Sequence, residues 1–216
     1  MSPVADTPLI ADPNKGLTWE NLLDHLVRKY SLPENARLLG EQTPEEKAHR
    51  QVASVLGAFR GFPKSRILAE GTKLLRATSF RDPYKRRNEP EGHWWFPETL
   101  LLDLLSQFES ELRSNSGRLD GVRRKLRSLL AISDNFSDVE QLWYIQIPAG
   151  AQLTVLEGPA FQQPVDSSLA GSYLSMGELP GGGWQYYLED LPAIQPKEYS
   201  LHLLPGMWLR NPRDKY

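Results

Sequence analysis

The spacing of apolar residues changes character along this chain, and that change constrains the fold more than any other feature. Up to about residue 130 apolar positions recur at three- and four-residue steps, and from Gln141 onward they alternate. Trp19, Leu22, Leu23, Leu26 and Val27 predict an amphipathic helix that a Thr18 cap opens and that ends near Tyr30, ahead of Pro33. Thr43-Pro44-Glu45-Glu46 is a sharper start, with a hydroxyl cap, a proline at the first helical position and a carboxylate three residues after the cap. Ala48, Val52, Val55, Leu56 and Phe59 form the stripe this second helix must bury. Behind Pro97, the series Leu101, Leu104, Leu105, Phe108 and Leu112 predicts a third helix whose leucine face packs on a sheet. Asn115 to Gly117 break it, and Val122 to Leu130 resume a helix with Arg123, Arg124, Lys125 and Arg127 on its polar side.

Thr72 to Thr78 reads as a strand carrying Arg76, followed by an exposed loop, Ser79 to Gly92, in which Arg81, Lys85, Arg86 and Arg87 crowd together. Leu142 to Ile147 alternates and meets the turn Pro148-Ala149-Gly150, so a hairpin with Gln152 to Leu156 is expected. Trp184 to Leu188, Tyr199 to Leu204 and Met207 to Leu209 complete the expected strands. The fold class is therefore α+β, with a helical N-terminal part and a largely antiparallel β C-terminal part. Within it we expect a flexible tail over 1–16, a helical accessory region over 17–66 and the α+β domain over 67–216.

Composition narrows the chemistry. A chain of 216 residues buries a continuous core without cross-links, and this one has no cysteine, which excludes disulfides, thiolate zinc sites and a cysteine nucleophile. With 25 basic and 27 acidic residues, bulk charge does not attract nucleic acid, so any polyanion site is local. No basic start precedes an apolar run, and nowhere do about eighteen apolar residues occur together. Neither a signal peptide nor a membrane span is expected, and the location expected is the cytoplasm, of the producing cell or of a target cell. His25, His49, His93 and His202 are scattered singly, so no metal is expected. The P-loop, G-x-G-x-x-G, H-E-x-x-H and G-x-S-x-G patterns do not occur.

Three segments remain: Lys73-Leu74-Leu75-Arg76-Ala77-Thr78, Gly92-His93-Trp94-Trp95-Phe96 ahead of a helix, and Gly181-Gly182-Gly183-Trp184-Gln185-Tyr186-Tyr187. In this order they resemble the mono-ADP-ribosyltransferase family, enzymes that take the ADP-ribosyl group from NAD. The resemblance implies an ADP-ribosyltransferase-like fold, NAD as cosubstrate, a protein or nucleic-acid acceptor, transferase or NAD glycohydrolase activity, and a role as toxin or effector. It implies that Arg76 contacts NAD and that Gln185 holds the first place of a Gln-x-Glu pair. Trp94-Trp95-Phe96 stands where that family carries hydroxyl residues, and Trp94 or Trp95 would stack on nicotinamide. Tyr187 occupies the place of the glutamate, so the carboxylate falls to Glu178 or Glu189. Breaking the nicotinamide bond develops positive charge on the ribose, which requires an acceptor beside it, and a guanidinium fork suits the pyrophosphate.

Plainer readings stand beside these. Arg76 paired with a neighbouring carboxylate, Gln185 as a solvated strand residue and the glycine triplet as a flexible turn would all be ordinary structure. Two other functions are open: a noncatalytic interaction module using the aromatic residues and the basic loop, and an RNA or phosphate-ligand binder with Trp94 as stacking platform. The transferase reading requires Arg76, Gln185 and a carboxylate to share one cleft.

Overall fold

A computed structural model of the chain describes residues 10–78, 92–109, 120–133, 137, 139, 141–165 and 178–198. The basic loop residues Arg81, Lys85, Arg86 and Arg87, the break at Asn115 to Gly117, and the strands expected over Tyr199 to Leu204 and Met207 to Leu209 lie outside the described residues, as does Leu112. Four α-helices are described: α1 (Leu22–Tyr30), α2 (Pro44–Ala58), α3 (Glu98–Gln107) and α4 (Asp120–Leu130), with a short 3-10 turn at Pro33–Leu38. Nine strands are described: β1 (Lys64–Leu68), β2 (Lys73–Thr78), β3 (Trp94–Pro97), β4 (Gln141–Gln146), β5 (Leu153–Pro159), β6 (Gln163–Pro164), β7 (Glu178–Leu179), β8 (Trp184–Tyr187) and β9 (Lys197–Glu198). The chain is thus a mixture of helix and antiparallel sheet, and no described helix is long and apolar enough to cross a membrane.

The helix starts show local chemistry at work. At α2 the Thr43 hydroxyl accepts from the Glu46 amide at 3.2 Å while the Glu46 carboxylate accepts from the Thr43 amide at 2.9 Å, a complete capping box. Helix α1 begins later than Thr18, because Thr18 and Asn21 bond each other's amides through their side chains and hold residues 18–21 as a turn. Trp19 is left outside the helix and stacks on Phe62, with ring centroids 4.4 Å apart.

Seven strands form one sheet in the order β1-β5-β8-β3-β2-β4-β9, every neighbouring pair antiparallel, and β6 and β7 pair separately. The expected hairpin between β4 and β5 does not form: β4 pairs with β2 and β9, whereas β5 pairs with β1 and β8. The physical reason is that β1–β2 and β4–β5 run alongside each other as one long bent ribbon. Lys64 to Leu68 faces Leu153 to Glu157, and Lys73 to Thr78 faces Gln141 to Gln146. At the bend Gly71 donates to Ile147 O at 2.8 Å, Ile147 donates to Thr72 O at 3.0 Å, and Glu70 accepts from the Gly150 amide. Gly71 and Gly150 stand at φ 79° and 75°, a left-handed backbone that glycine adopts without side-chain conflict. Between the two halves of the ribbon the sheet admits β8 and β3.

Side chains alternate across this sheet and define its faces. On one face Leu75, Ala77, Phe96 and Leu142 pack beneath Leu101, Leu104 and Leu105 of α3 and Val122 and Leu126 of α4, so the leucine face of α3 meets the sheet as expected. On that same face Leu156 and Tyr187 join Leu22 and Leu26 of α1 and Ala48 and Val55 of α2. The opposite face carries Leu74, Trp95, Ile145, Val155 and Tyr186. The boundary expected after residue 66 falls inside β1, and the accessory helices share their core with β5 and β8. The tail expected to reach Gly16 is docked from Ile10: Asp12 accepts from both the amide and the hydroxyl of Thr154, and Asn14 bonds the backbone of Asp190 in both directions.

Candidate functional site

Arg76 lies on β2 between Leu75 and Ala77, so its side chain belongs to the face of Leu74 and Trp95. Only 7% of it is exposed, and the guanidinium lies against Gly92, where any Cβ would come within 2.2 Å of it. Nη1 donates to the Trp94 carbonyl at 3.2 Å, while Nε, also buried, has no partner among the described residues. No described carboxylate acts on it, and burial alone pulls its pKa down from 12.5 to about 10. Thr78 follows on the same face of β2, and Trp143 is the cross-strand partner of Arg76 on β4. The Thr78 hydroxyl and the Trp143 indole N–H are likewise buried without partners among the described residues. Three polar groups on one face of the β2–β4 pair therefore wait for hydrogen bonds, an uncommon arrangement in a folded interior. Sequence reasoning singled out Arg76 but not Thr78 or Trp143. The alternation from Gln141 put Trp143 on a strand without indicating which strand would lie beside it.

Gln185 sits on the other face. Its neighbours in β8 alternate, with Tyr186 packed against Trp95 and Tyr187 against the α1–α2 core. A cavity of about 530 Å³ opens on this side, lined by Trp94, Phe96, Phe161 and Gln185 together with small residues of α2 and the end of α4. Trp95 borders it too, although its ring packs in the opposite core and its indole N–H donates to Gly92 O at 2.8 Å. Trp94 tilts against Phe59 and Tyr187, at 5.5 and 5.2 Å between centroids. The sheet thus separates Arg76 from Gln185, so the single cleft that the transferase reading requires is not formed by these two residues. The cause is parity: Arg76 and Gln185 occupy strand positions that point to opposite sides.

The two candidate carboxylates are also placed elsewhere. Glu178 lies exposed on β7, opposite Pro164. Glu189 is 2% exposed and already engaged: Lys29 of α1 donates to its Oε1 at 2.6 Å, and the Tyr187 hydroxyl donates to its other oxygen. Lys29 also reaches Asp190 Oδ1 at 2.5 Å. Burial pulls the Lys29 pKa down, but Glu189 and Asp190 together outweigh it and leave the ammonium above its ordinary 10.5. Burial and the Glu189 charge both push the Tyr187 phenol up, so it stays a donor. His25, 3.8 Å from Asp190 and beyond hydrogen-bond length, and Lys29 hold Asp190 down from 3.8 to about 2 against the effect of burial.

A folded-state pKa below the unfolded one contributes stability that is present above the unfolded value and lost as pH falls through the folded value. Wild type should therefore exceed Asp190→Asn in stability, and the part of the margin due to this shift should fall away as pH drops from about 5 through 3.8 to about 2. Denaturant titrations of both proteins across that range measure it, and a margin independent of pH would reject the ion-pair role.

The glycine triplet is held rather than mobile. Gly181 and Gly183 donate to the carbonyls of Ser128 and Leu129 at 3.0 and 2.8 Å, supplying partners to the C-terminal carbonyls of α4, and Gly182 donates to Ala160 O at 2.8 Å. A Cβ at Gly183 would stand 2.8 Å from Leu129 O, and one at Gly181 2.4 Å from Ala160 O, so close backbone approach is what these glycines provide. The flexible turn that the triplet suggests in the sequence is instead a segment bonded at all three amides. Among the described residues no cluster of metal-ligating side chains occurs. Compared with known proteins, the chain matches no protein family, no curated protein and no solved structure.

Proposed function

We propose that the chain binds a phosphate-bearing nucleotide, with NAD as the first candidate, and that Arg76 is its anchor. The observation that carries this reading is the buried guanidinium with no described counter-charge. Leaving a charge buried and unpaired costs several kcal/mol, roughly 3–5 where a partner has been removed, which an arriving phosphate would offset. The guanidinium fork matches phosphate oxygens, and the unpartnered Thr78 hydroxyl and Trp143 indole N–H add two neutral donors beside it. The three segments that carry the resemblance to ADP-ribosyltransferases lie on adjacent strands, β2, β3 and β8, which supports an ADP-ribosyltransferase-like sheet. Transfer chemistry has less behind it, because Gln185 is on the other face and Glu189 is held by Lys29 and Tyr187.

The test is thermal unfolding of wild type and Arg76→Met with NAD, ADP-ribose, single-stranded RNA or no addition, alongside a nicotinamide-release assay. NAD or ADP-ribose at a hundred times its Kd should stabilise wild type by about 2.7 kcal/mol. Arg76→Met should melt at or above the wild-type temperature, because it removes an uncompensated charge, and should lose the ligand shift. Arg76→Lys should also lose most of it, since a point charge does not reproduce the fork. Nicotinamide release would add catalysis to binding. A shift with RNA alone would replace the small nucleotide ligand by a polymer, and no shift with any of them, or an Arg76→Met protein that fails to fold, would overturn the proposal.

A further inference from the structure

The cavity on the opposite face of the sheet is independent of Arg76, and its walls have a chemistry of their own. Its volume of about 530 Å³ lies within the range of small-molecule sites, roughly 300–1,000 Å³, and far above the voids of a packed interior. It lies where α2 and the end of α4 part over β3 and β8. Two features of the sequence keep it open. Helix α2 presents only small groups here, among them Ala53 and Gly57, and nothing lies within 4 Å of where a Gly57 Cβ would stand. Helix α4 ends on Ala131 at φ 50°, a left-handed turn usually given to glycine, with Ile132 donating back to Arg127 O at 2.9 Å.

No described residue lining the cavity carries an ionisable side chain. Against these described walls a charged ligand would lose hydration without gaining a countercharge, which favours a neutral ligand over the phosphate chemistry of the Arg76 face. Aromatic walls are supplied by Trp94, Phe96 and Phe161, which favour a flat ring. Two buried polar side chains lie among them, Ser133 and Gln185, and the orientation of the second is fixed. Gln185, 7% exposed, donates from Nε2 to the Ala58 carbonyl at 2.7 Å, the same oxygen that accepts from the Phe161 amide at 2.8 Å. A carbonyl only accepts, so the nitrogen must face Ala58, and the amide oxygen is left as an acceptor at the cavity wall without a described donor.

We infer that this cavity is a second binding site, for a neutral, flat heteroaromatic molecule that donates one N–H to the Gln185 amide oxygen. Indole and benzofuran test it, because they share shape and apolar area and differ in whether the ring carries an N–H. Calorimetric titration of wild type should give saturable binding of both, with indole about tenfold tighter, the factor one buried hydrogen bond contributes. Gln185→Leu should bring the two affinities together while benzofuran binding persists. Gly57→Leu, which grows into open space from an unstrained helical position, should abolish both while the protein still melts cooperatively. Arg76→Met should leave both unchanged, so failure here and failure of the nucleotide site are separable. Should Gln185→Leu not fold, the indole-to-benzofuran ratio in wild type and the Gly57→Leu result decide alone. Absent binding of both probes, equal affinities in wild type, or unaltered binding in Gly57→Leu would overturn the inference.

Discussion

Replacing Lys29 by methionine should destabilise the protein by about 3–5 kcal/mol, the range for stripping a buried charge of its partner. The Glu189 side chain is 1% exposed, so when Lys29 is removed its carboxylate keeps, among the described residues, the Tyr187 hydroxyl and no opposite charge at short range. Lys29 also donates to the Glu189 carbonyl at 3.2 Å and to Asp190, so one ammonium fastens α1 to the chain leaving β8. The double variant Lys29→Met, Glu189→Gln should recover a large part of the loss, because it leaves no charge behind. Equilibrium denaturation of the two single variants and the double completes the cycle. A loss below about 1 kcal/mol in Lys29→Met, the size of an exposed pair, would mean that Glu189 reaches water and remains available for chemistry.

Leu104→Ala should cost about 2–5 kcal/mol. Leu104 is 1% exposed and sits with Leu101 and Leu105 over Leu75, Ala77 and Leu142 of the β2–β4 pair. Removing its terminal carbons creates a cavity that α3 and α4 close only in part, so lost burial and residual void act together. Urea titration measures the change in midpoint, and an unchanged slope would show that the unfolded state is not the cause. A change within about 0.5 kcal/mol, as at a surface position, would reject the packing of α3 on the sheet.

The helices were legible because their signals are local. Pro44, Thr43 and Glu46 act within one turn, and the three- and four-residue steps of Leu101, Leu104 and Leu105 need no knowledge of what they pack against. Arg76 was legible as a strand arginine, and its strand runs over Lys73–Thr78. The site around it was not, because its other members come from distant parts of the chain: Trp143 by cross-strand register and Gly92 through the approach of its backbone. Glu189 looked available in the sequence because its neighbour Lys29 lies in the first helix. The hairpin around Pro148-Ala149-Gly150 failed for a related reason. A turn signal says that the chain bends, whereas the partners of β4 and β5 were decided by two segments, β1 and β2, more than sixty residues earlier.

By itself, then, the sequence determined the four helices, the strands β2, β4, β5 and β8, the capping box of α2 and the helical face that Leu101, Leu104 and Leu105 share, but not β1, which begins inside the region expected to be helical. Each follows from backbone geometry within a few residues. Only the tertiary structure decided that Arg76 and Gln185 face away from each other, that Glu189 is held by Lys29, and that the glycine triplet caps α4. Those outcomes depend on which strands become neighbours and which faces are buried, and the energies that select them come from contacts between residues far apart in the chain.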